Sequence, residues 1–82
     1  MTSQTIYVLT IDHKHGNDKW ATSDQEQAHE WLARWCRQWW EDEMGEMEMP
    51  TTDGEIISDY FAVMNDRDEF YSIDECQIGA GP

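Results

Sequence analysis

The pattern of hydrophobic and polar positions in the first quarter of the chain predicts a hairpin of two strands. Residues 5–12 carry β-branched and aromatic side chains on both alternating faces, a composition typical of a central strand. Residues 15–18 contain a glycine and an asparagine that tolerate positive φ, so they predict a turn, and residues 19–22 then form a short second strand. The sheet is therefore expected to be organised around the strand at 5–12.

The middle of the chain has the periodicity of an amphipathic helix running from about residue 24 to residue 42 or 44. Ser23 with Glu26 has the form of a capping box that would start this helix. Its apolar stripe consists of Ala28, Trp31, Leu32, Trp35, Cys36 and Trp39. This spacing favours core packing over a platform for stacking bases, which would be interleaved with Lys and Arg. Trp40 falls off the stripe and is expected at the rim or in solvent.

The second half of the chain predicts a loop, a second helix and a last strand. Residues 41–52 alternate acids with methionines and include a glycine and a proline, which indicates an acidic loop. Thr52 with Glu55 forms a weaker capping box for a helix over 53–64. Residues 65–68 supply a turn, residues 69–78 a strand, and residues 79–82 a frayed tail.

The order β-β-α-α-β predicts a single α+β domain over residues 1–82. It consists of a three-stranded antiparallel sheet with two helices packed on one face. In this arrangement Ile6 and Val8 lie on the face away from the helices, where either a second copy of the chain covers them or the face tolerates a small apolar patch.

Charge adds the strongest clue to function. The chain has 18 Asp and Glu against five Lys and Arg, and residues 41–82 hold 13 of those acids against a single arginine. Such a field costs folding free energy through self-repulsion, which favours a use for it, most simply attraction to a basic partner surface. Direct binding of nucleic acid is not expected, because it requires many Lys and Arg side chains.

The predicted partner-binding surface combines these acids with one tryptophan. It consists of Trp40, Glu41, Asp42, Glu43, Glu46, Glu48, Asp53, Glu55, Asp59, Asp66, Asp68 and Glu69. An aromatic anchor beside a charged patch has the composition of a binding hot spot, and the methionines at 44, 47 and 49 suit an adaptable interface. The alternative is that the acids only keep a small protein soluble or adapt it to high salt.

Other chemistry is weakly indicated. His13 and His15 would project to one side of a strand, with Asp12 or His29 as a further metal ligand, but hydrogen bonding at the hairpin tip is the favoured interpretation. We expect no bound metal, no cofactor and no enzymatic activity, since no nucleophile has the glycine-rich elbow or positioned base that catalysis needs.

The cysteines and the lack of targeting signals bear on location. The sequence contains no apolar run long enough to cross a membrane and no signal-peptide pattern at its start, so a cytoplasmic protein without membrane contacts is expected. In that compartment Cys36 and Cys76 are predicted to be two reduced, packed thiols.

In size, charge and acid-rich second half, the chain resembles the small acidic proteins that phages and other mobile elements use against host defences. These are the anti-CRISPR and anti-restriction inhibitors, many of which mimic nucleic acid. Residues 7–16 and 70–75 also resemble segments of uncharacterised small proteins from bacterial and phage genomes.

The resemblance implies a non-enzymatic inhibitor, acting in the host cytoplasm if it is phage-encoded. Its acidic surface would block the basic nucleic-acid-binding site of a CRISPR effector or another host-defence nuclease. No functional residue carries over by position. The alternative is a small homodimeric adaptor or regulatory module that pairs through Ile6 and Val8, with the acids serving solubility.

Overall fold

The computed structural model describes residues 4–78, which form one sheet and two helices. The elements are β1 (Gln4–His13), β2 (Gly16–Thr22), α1 (Gln25–Met44), α2 (Asp53–Met64), a 3₁₀ turn (Asn65–Arg67) and β3 (Phe70–Ile78). The strands are antiparallel in the order β2-β1-β3. This confirms the predicted α+β architecture and the central position of β1. The tail predicted at 79–82 lies outside the described residues.

The hairpin between β1 and β2 is tighter than the sequence predicted. Its register pairs His13 with Gly16, which leaves a two-residue turn at Lys14 and His15. Gly16 has a φ of 125°, a conformation that glycine adopts without steric cost. Because this turn closes early, Asn17 and Asp18 belong to β2, and the strand starts three residues before the predicted position.

Helix α1 begins one residue later than the predicted capping box implied. The N-cap is Asp24, whose Oδ1 accepts a hydrogen bond from the Glu26 backbone N–H at 2.9 Å. The capping role predicted for Ser23 is therefore wrong, because the neighbouring Asp24 side chain accepts the hydrogen bond from the first turn of the helix. At the other end Gly45, with a φ of 63°, donates its N–H to the Glu41 carbonyl and stops the helix. For α2, the predicted Thr52 cap and the range 53–64 are confirmed.

The assignment of the cap gives a simple stability test. Asp24→Ala should lower the free energy of unfolding by about 1 kcal/mol, since it leaves first-turn N–H groups without a protein acceptor. The matched control is the neighbouring exposed Ser23, and Ser23→Ala should leave stability unchanged. Urea denaturation of the two variants measures both effects, and a larger loss for Ser23→Ala would restore the capping box.

The core lies between the inner face of the sheet and both helices. Leu9 and Ile11 of β1 are fully buried there. The helices add most of the remaining core, namely Leu32, Ala33, Cys36, Trp40, Met44, Ile56, Ile57, Tyr60, Phe61 and Met64. Both helices therefore pack on one face, as predicted. Ile6 and Val8 alternate to the opposite face, where they are half-buried among their strand neighbours.

Trp40 is buried, and its predicted place at the rim is wrong. The residue is 3% exposed, its ring lies 6.5 Å from that of Tyr60, and its Nε1–H donates to the Met47 carbonyl at 2.8 Å. After Gly45 the chain reverses direction, and α2 packs against α1. Because α1 contacts both the sheet and α2, the buried part of its circumference is wider than a single stripe and includes Trp40.

The predicted acidic loop at 41–52 is also shorter than expected. Residues 41–44 form the last turn of α1, so the loop spans only residues 45–52. Met44 is buried and Met49 packs against the core, whereas Met47 is half exposed. Of the three methionines predicted to suit an adaptable interface, only Met47 exposes a large part of its side chain.

Candidate partner-binding surface

Most of the predicted acidic surface is exposed and carries uncompensated charge. Eight of its carboxylates are exposed and have no basic side chain within 4 Å among residues 4–78. They are Glu41, Asp42, Glu46, Glu48, Glu55, Asp59, Asp66 and Asp68. These side chains come from the last turn of α1, the loop after it, the solvent side of α2 and the turn that follows α2.

The remaining three acids of the predicted surface are not free. Glu43 is shielded between two cations, with Lys14 Nζ at 3.1 Å and Arg67 Nη1 at 3.1 Å. Asp53 forms an ion pair with Arg37. Glu69 is only 5% exposed. The exposure expected for Glu69 and Trp40 is therefore wrong, and the charges of Glu43 and Asp53 are compensated, while a role of these acids in partner binding stays a prediction.

The same ion pairs hold the acid-bearing segments together. Arg67 donates to the carbonyl of Glu43 as well as to its carboxylate, which fixes the turn after α2 against the last turn of α1. The pair between Arg37 and Asp53 fixes the start of α2 beside α1. Exposed pairs of this kind contribute little stability, about 0–1 kcal/mol each. Their main consequence here is electrostatic, because they neutralise the cations that border the acidic surface.

A small pocket lies beside this surface, at the tip of the β1–β2 hairpin. It has a volume of about 60 Å³, and it is lined by an ion pair, two histidines, three aromatic rings and a further acid, namely Lys14, Glu43, His13, His15, Trp35, Trp39, Tyr60 and Glu69. The sequence analysis singled out the histidines at this tip, but nothing in the local pattern indicated that Tyr60 and Glu69 would join them. Those two residues arrive from α2 and from the start of β3.

The hydrogen bonds of His13 define its tautomer. Its Nδ1 accepts from the His15 backbone N–H at 3.3 Å, so the proton lies on Nε2, which donates to Asp18 at 3.0 Å. The imidazole also packs against the Trp35 ring, with the ring centroids 5.1 Å apart. Both nitrogens are thus engaged, in agreement with the predicted hydrogen-bonding role at the hairpin tip.

Two polar atoms around the pocket are buried without a hydrogen bond. The indole N–H groups of Trp35 and Trp39 are buried and make no hydrogen bond of normal geometry among residues 4–78, although the Trp35 N–H lies close enough to the Tyr60 hydroxyl to act on its pKa. Glu69 is 5% exposed, and its carboxylate oxygens are not among the buried atoms that lack a partner. Burial, and next the negative charge of Glu69, raise the pKa of the Tyr60 hydroxyl well above its usual range, so that Tyr60 stays protonated.

A second concavity runs between β2 and α1. It has a volume of about 360 Å³ and is lined by Trp20, Trp31, Arg34, Trp35 and Gln38. Trp20 is partly exposed at its edge. Trp31 and Trp35 pack against the core, as the helical spacing predicted, and together with Trp20 they line an aromatic groove on the outside.

The cysteines and histidines offer no further site. Within residues 4–78, no group of three or more His, Cys, Asp or Glu side chains is arranged to hold a metal ion. Both thiols are free, but only Cys36 is packed, while Cys76 is exposed on β3. Burial raises the pKa of the Cys36 thiol to about 12, which keeps it protonated and unreactive at neutral pH.

Comparison with known proteins adds no assignment. No protein-family model matches the chain, and neither the curated proteins nor the solved structures include a significant match. Among the described residues, neither helix combines the length and the apolar character needed to cross a lipid bilayer.

Proposed function

We propose that the protein is a non-enzymatic inhibitor whose acidic surface occupies the basic nucleic-acid-binding site of another protein. The target class is a CRISPR effector or another host-defence nuclease, as the resemblance to anti-defence inhibitors implies. Binding would exclude the nucleic acid from a site that is built to hold phosphates.

The observation that supports this proposal is the excess of exposed carboxylates over the cations that could pair with them. The only arginine of the acidic half is committed to Glu43, as is Lys14, and Arg37 is committed to Asp53. Eight exposed carboxylates on neighbouring segments have no cation within 4 Å in the part of the chain that the structure describes. A surface with this distribution attracts a Lys- and Arg-rich cleft and repels nucleic acid itself.

The same surface predicts how the complex should respond to salt. Charges exposed to solvent are screened over about 8 Å at physiological ionic strength. Association should therefore slow as salt rises, while the apolar contact offered by Met47 should persist. Trp40 cannot supply such a contact without unfolding of the segment that covers it.

Capture from a lysate of a host that carries defence nucleases tests the proposal. The tagged chain is immobilised, and bound proteins are washed at low salt and at roughly 0.5 M salt, where screening is several times stronger. We expect a nucleic-acid-binding effector that is retained at low salt, elutes at high salt and loses nuclease activity when the chain is added. Retention of only proteins that lack a basic cleft would contradict the proposal.

A homodimeric binding module is the second candidate, and the exposed outer face of the sheet favours it. On that face Ile78 is 53% exposed near the half-buried Ile6 and Val8, and Phe70 is 47% exposed farther along, opposite Asp12. If the face is a dimer interface, Val8→Glu should convert a dimer into a monomer in light scattering, whereas Ala62→Glu on the solvent side of α2 should not. A wild-type monomer would remove this candidate.

A further inference from the structure

We infer that the aromatic groove between β2 and α1 binds a small molecule that carries a flat aromatic ring and a single carboxylate. The groove is lined by one side chain of β2 and four of α1, namely Trp20, Trp31, Arg34, Trp35 and Gln38. None of these residues belongs to the predicted partner-binding surface. A ligand in the groove is therefore independent of the proposed function and adds a second binding site to it.

The position of β2 at one edge of the sheet keeps the groove open to solvent. Trp20 pairs with Leu9, whose side chain is fully buried on the inner face, so Trp20 points to that face as well. Because β2 has β1 on one side only, the Trp20 ring stays 37% exposed. The four lining residues of α1 follow one another at spacings of three, four and seven, which places them on one stripe of the helix. An indole on the strand thus faces two indoles and two polar groups on the helix.

The size and the lining of the groove match a site for a small ligand. Its volume of about 360 Å³ lies within the range of roughly 300–1,000 Å³ of such sites, which combine apolar and aromatic walls with a few polar groups that orient the ligand. Here three indoles form the walls, and the Arg34 guanidinium and the Gln38 amide are the polar groups. Indoles pack favourably against another flat ring, stacked or edge to face, so the walls favour a ligand with an aromatic body.

The state of Arg34 determines the charge of the ligand. Lys14, Arg37 and Arg67 each form an ion pair with an acid of the chain. Arg34 is exposed and forms no ion pair among residues 4–78, although Glu30 lies one turn before it on α1. A guanidinium fork matches the two oxygens of a carboxylate, and its charge repels a cation, which the indole faces alone would accept. The groove therefore favours an anionic ligand.

The distribution of charge along the chain limits that ligand to a small negative charge. The groove belongs to residues 1–40, which carry five acids against four Lys and Arg, whereas residues 41–82 carry most of the negative charge. Arg34 precedes Glu41, the first acid of the predicted partner-binding surface, by about 10 Å along the helix axis. Exposed charges are screened over about 8 Å at physiological ionic strength, so one carboxylate can approach Arg34. A nucleotide brings more negative charge to the same single guanidinium, and the net charge of −13 opposes it.

The test titrates small probes into the intact, ¹⁵N-labelled protein and follows its five indole N–H resonances at constant ionic strength. The probes are 2-naphthylacetate, its uncharged amide, its saturated decahydro analogue and the cation 2-naphthylmethylammonium. We expect saturable shifts at Trp20, Trp31 and Trp35, while the buried Trp40, whose N–H is bonded to the Met47 carbonyl, serves as an internal reference. The affinity for 2-naphthylacetate should exceed that for each of the other three probes by about fivefold or more.

Each probe removes one property of the ligand, so each can overturn the inference. Equal affinity for the amide would mean that the groove does not recognise the carboxylate, and equal affinity for the saturated analogue would mean that it does not recognise the aromatic ring. Tighter binding of the cation would reverse the sign of the charge. Adenosine monophosphate is the counter-probe, and tighter binding of it would make the groove a nucleotide site. No saturable shift at the three groove indoles with any probe would also contradict the inference.

A pair of variants locates the group that binds the carboxylate. Arg34→Gln should weaken 2-naphthylacetate binding by about fivefold and leave binding of the amide unchanged. Lys19→Gln is the matched control, because Lys19 is also exposed and without an ion pair among residues 4–78, but it alternates with Trp20 to the opposite face of β2. It should change the affinity by less than about twofold. Equal affinities of the two variants would mean that Arg34 does not bind the ligand.

A third variant tests the aromatic wall. Trp20→Leu keeps an apolar side chain at the edge of the groove but removes the indole, so it should weaken binding of both 2-naphthylacetate and its amide by about threefold to tenfold. Unchanged affinity for both probes would place the ligand outside the groove and overturn the inference. The comparison of the probes on the wild-type chain gives an answer even if this variant does not fold.

Discussion

Trp40→Ala should lower the free energy of unfolding by about 3–5 kcal/mol, because it removes a large buried aromatic side chain and leaves a cavity between α1 and α2. Small domains have total stabilities of about 5–15 kcal/mol, so this variant should be close to unfolding at room temperature. The loop at 45–52 should loosen as well, since its backbone is tied to α1 by the bond from Trp40 Nε1 to Met47. Urea denaturation followed by circular dichroism measures the loss.

Trp40→Phe is the matched control for this prediction. It keeps an aromatic ring in the core but removes the indole donor, so we expect a smaller loss, with about 1 kcal/mol from the missing hydrogen bond. The opposite pattern would be full stability of Trp40→Ala combined with loss of partner binding. That pattern would mean that Trp40 acts at an interface, as its position off the helical stripe first suggested.

Reversal of three exposed acids should weaken partner binding by about tenfold to a hundredfold. The triple variant Glu41→Lys, Asp42→Lys and Glu46→Lys changes the charge by six units at the end of α1 and the start of the loop, and steering by charge contributes factors of about 10–10³ to association rates. The fold should tolerate the change, since lysines at a helix C-terminus interact favourably with its dipole. Surface plasmon resonance against the captured target gives the association rate.

The control for this charge reversal must change the net charge by the same amount on a part of the molecule outside the acidic surface. Asp12, Asp74 and Glu75 are exposed acids of the sheet, and their reversal to lysine also changes the charge by six units. This variant should keep most of its affinity. Equal losses in the two variants would show that only net charge matters, and no loss in either would end the proposal that the acidic surface mimics nucleic acid.

The sequence predicted the fold well because its signals were local. The two-sided apolar character of β1, the periodicity of α1 and the Thr52 cap each depend on residues within a few positions of one another, and each is confirmed. The N-cap residue of α1 and the position of the hairpin turn were predicted less accurately. Ser23 and Asp24 are both good capping residues, and their order depends on where β2 ends rather than on the helix alone.

The surface was harder to predict, because the state of a side chain depends on distant segments. Trp40 is buried by a loop that turns back along α1, and Glu43 is shielded by cations 29 residues before it and 24 residues after it. Glu69 lines a pocket together with aromatic residues from both helices. Charge counting therefore identified the acidic half correctly but overestimated how many of its charges are free.

The most direct test of the central claim is whether the chain and DNA exclude one another on the target. Labelled duplex DNA is titrated onto the captured nuclease at several fixed concentrations of the chain, and anisotropy reports DNA binding. Our account predicts that the apparent Kd for DNA rises in proportion to the concentration of the chain, without a plateau. A plateau, or a ternary complex in which the nuclease holds both ligands, would contradict the claim that the acidic surface occupies the nucleic-acid-binding site.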